Sequence, residues 1–379
     1  MRFEFATATR IIFGEGTAAT IPDLVSTLGT RPMVVTGAST ERASWLVSAL
    51  GAESFAVPGE PTVELVREGA RHVQSADCDV IVAIGGGSAI DAGKAIAAIA
   101  TNGGEPLDFL EVVGKGRAIN MPPLPFIAVP TTAGTGSEVT RNAVLGSTEY
   151  GVKASLRSPL MLPRVALVDP ELTYALPPAQ TAATGLDALT QLIEPYVSAR
   201  ANPITDAICV DGIRRIAGAL RRVYHDGADR EARHEMALAS LFGGLALANA
   251  GLGVVHGFAA PLGGSFKAPH GALCAAILPH GMAANVAALR VRAPRDPALE
   301  RYVTIARLLT NRPDATAEDG IEWVRTICAD LAIPPLRAWG VTDADLPGVA
   351  EKAAQASSMK ANPLSLTREE LLSVLAAAL

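Results

Sequence analysis

Aromatic residues make up only 4% of the chain, although 49% of its 379 residues are hydrophobic. Its apolar content is therefore chiefly Ala, Val, Leu and Ile, enough for a large aliphatic core. No basic run or arginine-rich segment occurs, and the net charge is −6, which excludes nucleic acid as a partner. Only four cysteines are present: Cys78, Cys209, Cys274 and Cys328. They are scattered without a CxxC pair, which excludes a disulfide framework and predicts reduced thiols in a cytoplasmic protein. A signal peptide is excluded too, because Arg2, Glu4 and Arg10 interrupt the apolar positions of MRFEFATATRIIFG. One apolar run, 237–264, is long enough to raise the question of a membrane span. It is rich in Ala and Gly and contains Asn249 and His256, so it reads as a buried helix followed by a glycine-rich turn, with no membrane partner.

What is present is a regular alternation. RPMVVTG (31–37), DVIVAIGGG (79–87), LPFIAVPTTAGTGS (124–137) and PRVALVDP (163–170) each read as a strand. SWLVSAL and AIDAGKAIAAIA, between them, read as helices. Such alternation predicts an α/β domain with a parallel sheet covered by helices on both faces. Beyond Pro177-Pro178 the β-branched runs fade and long helical stretches continue to TREELLSVLAAAL. The expected organisation is an α/β domain over 1–177 followed by an all-α domain over 178–379.

Ligands of parallel sheets bind at the carboxyl ends of the strands. There, IVAIGGGSAIDAGKA ends a strand and opens a helix. Gly85, Gly86 and Gly87 let the backbone approach an anion, and the free N–H groups of the helix start favour phosphate. The pattern is not the G-x-G-x-x-G fingerprint. A second loop, PTTAGTGSEVTRNAV, carries the hydroxyls of Thr131, Thr132, Thr135 and Ser137. Turn capping alone also explains threonines there. Two such loops leaving parallel strands suit a pyrophosphate clasped between them.

With GGGSAIDAGKAIA and PTTAGTGSEVTRNAV stand LVDPELTYALPP, TGLDALTQLIEPYVS, HGFAAPLGGSFKAPHG and SSMKANPLSLTREELLSVL. Across essentially its whole length the chain resembles the iron-containing, group III alcohol dehydrogenases of the dehydroquinate-synthase-like superfamily. The LGGSF portion is somewhat similar to maleylacetate reductases. The resemblance implies a dinucleotide-binding α/β domain, a helical domain, NAD or NADP as cofactor, and a divalent metal, iron or zinc, beside the nicotinamide. It places the cofactor contacts on Gly86, Gly87, Ser88, Thr131, Thr132, Thr135 and Lys153. It places the metal ligands on Asp187, Gln191, His256 and His270. Homodimers are common among similar proteins.

Asp187 and Gln191, four residues apart, share one helix face and can reach one ion. His256 and His270 are expected to be folded towards them by a bendable link containing Pro261, Gly263 and Gly264. The set of one carboxylate and two imidazoles suits a catalytic metal with an open position. Gln191 departs from the family, which has histidine there. An amide oxygen is the weaker donor for iron or zinc, so Gln191 is either a fourth ligand or a bystander. Ala260 departs as well, standing where many members carry a further histidine. A third departure is Gly37, where NAD-preferring members end the strand in an aspartate that holds the ribose. Its absence removes repulsion towards a 2′-phosphate, and Arg42 lies nearby in sequence, so NADP is expected to be accepted.

The expected reaction is hydride transfer between NAD(P)(H) and a small alcohol, aldehyde or ketone, with the metal polarising the substrate oxygen. A metal-independent maleylacetate-type reductase and a dehydroquinate-synthase-like lyase are the alternatives. The lyase would need more cations than Lys267 supplies around the two histidines.

Overall fold

The computed structural model describes residues 2–147, 149–150 and 152–379. The chain divides into two compact units. Thr7–Thr132 and Gly136–Thr173 form one. Ala133–Thr135 and Tyr174–Leu379, with the N-terminal residues up to Ala6, form the other.

Among the described residues the first unit has eight strands: β1 (Arg10–Phe13), β2 (Pro32–Thr36), β3 (Glu53–Ala56), β4 (Val80–Gly85), β5 (Phe126–Pro130), β6 (Asn142–Ser147), β7 (Val152–Arg157) and β8 (Val165–Val168). Six of them make a parallel sheet in the order β1-β8-β5-β4-β2-β3. β2, β4, β5 and β8 are buried along their whole length, as a parallel sheet covered on both faces requires. Their near-unbroken apolar runs follow from that. β6 and β7 form a separate antiparallel hairpin.

The helix Gly87–Asn102 lies close against the sheet because Gly93 has no side chain. A Cβ there would stand 2.8 Å from Phe126 Cε2 and 2.9 Å from the Ala83 methyl. One turn of this helix carries a buried ionic cluster. Lys94, almost fully enclosed, donates from Nζ to Ser137 O at 2.9 Å, to Thr140 Oγ1 at 2.9 Å and to Asn142 O. It is also 3.1 Å from Asp91. Asp91 accepts from the Ser137 hydroxyl and from the Val144 N–H at 2.9 Å. These bonds tie the segment after β5 to the helix that begins after β4. Glu138 is buried beside them. Burial pushes its carboxyl up to about 7, against the pull of Lys94.

The second unit is helical. Its principal helices are Pro178–Val197, Pro203–His225, Arg230–Ala250, Val254–Ser265 and His270–Arg292. Asn202 opens the second with a reciprocal cap to Thr205. In place of the expected glycine-rich turn, Val254–Ser265, with Pro261, Gly263 and Gly264, is helical. The break comes earlier, at Gly251, whose φ of 76° ends Arg230–Ala250. The chain bends there by 99° into the next helix. Gly257 shows why glycine suits that helix: a Cβ would stand 2.6 Å from Met359 Cε. His270–Arg292 is the one single helix among the described residues with the length and hydropathy of a membrane span, and 72% of that window is buried inside the protein.

Candidate active site

In the α/β unit, β2, β4 and β5 are neighbours, so the residues after them share the carboxyl edge of the sheet. Gly37 follows β2, Gly86 follows β4 and Thr131 follows β5. The Thr131 N–H donates to Gly85 O at 2.9 Å, and a Cβ on Gly85 would meet Gly37 N at 3.3 Å. Gly86 precedes the helix Gly87–Asn102 and no side chain caps it, so the first N–H groups, including those of Gly87 and Ser88, have no side-chain acceptor. Facing them, Thr132 places a methyl 3.5 Å from where a Gly86 Cβ would be, and its buried hydroxyl has no hydrogen-bond partner. Open helix-start donors beside an orphaned hydroxyl fit a phosphate.

Other predicted cofactor residues are placed differently. Ser137 gives its hydroxyl to Asp91. Lys153, on β7, is 3.2 Å from Glu60. Thr135 groups with the helical unit, where Gly134 lies so close to Thr184 that a Cβ would stand 2.5 Å from it. The space around Gly37 is open, and Arg42 is exposed.

In the helical unit, three helices supply one cluster. Asp187 comes from Pro178–Val197, His256 from Val254–Ser265, and His270 from the first position of His270–Arg292. Gly271 lets that last helix start against the first, since a Cβ would stand 2.4 Å from Ala183 O. Asp187 Oδ1 is 3.3 Å from His256 Nε2 and 3.9 Å from His270 Nε2. The two rings are 5.4 Å apart, tilted by 51°. His256 Nδ1 is 2.7 Å from Glu194 Oε2, and Glu194 Oε1 accepts from the Val255 N–H at 2.6 Å. In a neutral ring that gives its Nδ1–H to Glu194, Nε2 carries the lone pair that a cation would take.

The surrounding groups also favour positive charge on the two rings, the charge that a bound cation would supply in place of protons. Burial works to raise the Asp187 pKa, but the imidazoles of His270 and His256 outweigh it and hold the carboxyl below its ordinary value. Burial opposes charge on His256, yet Cys274, Asp187 and Glu194 hold it well above the usual imidazole range. Cys274, then Asp187, lift His270 to about 9. Asp187 Oδ1 is buried without a hydrogen-bond partner. A buried, unbonded carboxylate oxygen facing two ring nitrogens is costly unless a cation sits among them. The donor set therefore fits a divalent metal.

Gln191, one turn on, is buried with its Oε1 also unbonded, 3.2 Å from where a Gly243 Cβ would lie. Ala260 is exposed and brings no proton-carrying group to its place one turn after His256. Glu194 and Cys274 carry sequence signals that the histidines overshadow. Glu194 is seven residues after Asp187 and Cys274 four after His270, both helical same-face spacings.

Residues 8–170 match the family described as iron-containing alcohol dehydrogenase, and residues 181–379 match its C-terminal part. The chain belongs to the iron-containing alcohol dehydrogenases. It is 40% identical over 315 residues to the 1,3-propanediol dehydrogenase of Klebsiella pneumoniae, covering 82% of this chain and 78% of that one. A crystal structure of 1,3-propanediol oxidoreductase superposes with a TM-score of 0.92 at 34% identity, covering all of both chains. Sulfoacetaldehyde reductase from Bifidobacterium kashiwanohense, solved with NAD+, gives a TM-score of 0.87 at 28% identity over 100% of this chain and 99% of that one. As an iron-containing alcohol dehydrogenase, this chain is an oxidoreductase that uses NAD(P) and a divalent metal. It moves a hydride between the nicotinamide and a small alcohol or carbonyl compound.

Proposed function

We propose that the helical domain, 178–379, holds iron or zinc through Asp187, His256 and His270, with Gln191 at the family-matched fourth position. The α/β domain, 1–177, binds the dinucleotide through Gly37, Gly86, Gly87, Ser88, Thr131 and Thr132, with Thr135 adding a hydroxyl from the loop after β5, Ser137 bracing that loop through Asp91 and Lys153 exchanging Glu60 for the cofactor. The observation that carries the metal reading is the buried, unbonded Asp187 Oδ1 facing two imidazole nitrogens. Bound there, the cation supplies Lewis-acid polarisation of the substrate oxygen. Asp187 provides the fixed negative charge that holds a cation in a buried place. Glu194 orients His256 and sets its tautomer. His270, with 40% of its side chain exposed, stands on the open side of the cluster where substrate enters. With Ala260 in place of a histidine, the alcohol proton leaves through water. In the oxidative direction the substrate carbon gives its hydride to nicotinamide C4 and the hydroxyl gives its proton to solvent.

The substrate class is a short alcohol, diol or aldehyde without a carboxylate or phosphate, because Lys267 is the only lysine or arginine in 256–271. The enzyme works in the cytoplasm as a homodimer. Stoichiometric metal in the purified protein, together with NAD(P)+ reduction by 1,3-propanediol that chelation abolishes and added metal restores, is the expected result. Full activity after complete metal removal would overturn the reading in favour of a metal-free reductase.

Cofactor choice follows from Gly37. Gly37→Asp is expected to lower kcat/KM for NADPH roughly 10- to 100-fold while sparing NADH, since a like charge near a phosphate costs a few kcal/mol. Equal losses with both cofactors would show that this position does not face the ribose.

A further inference from the structure

The fourth donor of the cluster is a thiol. Cys274 lies one turn after His270 on the same helix, is completely buried, and has its Sγ 3.6 Å from His270 Nε2. Ligand atoms of Asp187, His256, His270 and Cys274 all lie within 4.8 Å of one another. Zinc–nitrogen and zinc–sulfur bonds near 2.0–2.3 Å put the corners of a tetrahedron roughly 3.3–3.8 Å apart. Three of the six separations here, 3.3 Å for His256 to Asp187, 3.6 Å for Cys274 to His270 and 3.9 Å for His270 to Asp187, lie close to those corners, and the other three are within 4.8 Å. A cysteine that only fills core volume has its sulfur among carbon atoms. This one has it beside an imidazole nitrogen and, within the same cluster, the unbonded oxygen of Asp187. Gln191, meanwhile, has its carboxamide oxygen against Gly243, on the helix Arg230–Ala250.

We propose that Cys274, rather than Gln191, completes the metal centre with Asp187, His256 and His270, making a mixed oxygen, nitrogen and sulfur set selective for zinc over iron. The inference rests on the metal-assisted reading above. The physical ground for selectivity is that a thiolate is a soft ligand, and zinc lies above iron(II) in the affinity order for such donors. On ligation the thiol gives its proton to solvent and no electron is transferred.

The test uses the full-length protein stripped by a chelator and reloaded with zinc or with cobalt(II). X-ray absorption of the zinc form is expected to show one sulfur neighbour at about 2.3 Å. The cobalt form is expected to show a thiolate-to-cobalt charge-transfer band. Cys274→Ser should remove both signals and weaken zinc binding by more than roughly 100-fold, beyond the 10–100-fold typical of residues outside the coordination shell. If Cys274→Ser does not fold, the spectra of the unsubstituted protein decide. Zinc bound through nitrogen and oxygen alone overturns the thiolate ligand and leaves the proposed function standing. Failure of the unsubstituted protein to bind either ion overturns both.

Discussion

Asp187→Ala and His270→Ala are each expected to lower kcat/KM by roughly 10³-fold or more while the protein stays folded. The reasoning starts from burial. Asp187 is the sole carboxylate among the cluster's four donors and sits in an enclosed place. Removing it leaves two imidazoles that repel a cation once either is protonated, and the site no longer pays for taking an ion out of water. Lewis-acid assistance is worth several kcal/mol of transition-state stabilisation, and each 1.36 kcal/mol is about tenfold in rate. Metal content and rate should fall together. His72→Ala, on the surface beside Glu53, serves as the comparison and should change neither. An Asp187→Ala protein with normal metal content and turnover would remove the basis of the site.

Lys94→Met carries the second large effect, on stability. The substitution keeps much of the side-chain volume but removes the charge that faces Asp91 and Glu138. It also removes the donor that Ser137 O, Thr140 Oγ1 and Asn142 O share. Breaking a buried pair in this way costs about 3–5 kcal/mol. The deficit should depend on pH in a defined direction. Glu138 titrates near 7 in the folded protein against an ordinary 4.5, so the native state favours its neutral form. That contribution is present at acid pH and is lost as pH rises through about 7. Without Lys94 the carboxylate is less tolerable still, so the gap between variant and parent widens from pH 5 towards pH 8. Unfolding midpoints measured across that range check it. A gap that is constant or shrinks with pH would show that Lys94 does not compensate a buried carboxylate.

Much of this architecture is written in the chain, unevenly. β2, β4, β5 and β8 announce themselves because strands buried on both faces must be continuously apolar, and two of them end in glycine or in a polar glycine loop. β1 and β3 do not, being four-residue strands with mixed burial at the two edges of the sheet. The β6–β7 hairpin is obscured by Gly146, Ser147 and Lys153, which weaken its alternation. The segment after His256 has the composition of a turn, yet it is helical. Its Gly257 answers to a close neighbour, Met359, a tertiary demand that no local propensity registers. At the site, the two histidines and Asp187 were legible as a constellation. Glu194 was hidden in an apolar helix, and Cys274 looked like one more scattered thiol.

The grip of Glu194 on both the Val255 N–H and the His256 ring has a consequence for how the enzyme matures. One carboxylate fixes where a helix begins and how a ring in its first turn is aimed, and a large aliphatic core packs around these helices. Both contacts are made within the polypeptide, so the aim of the His256 ring is set by Glu194 itself. If the proposed cation binds beside that ring, stripping it and adding it back should leave the helices in place, and the far-ultraviolet circular dichroism unchanged.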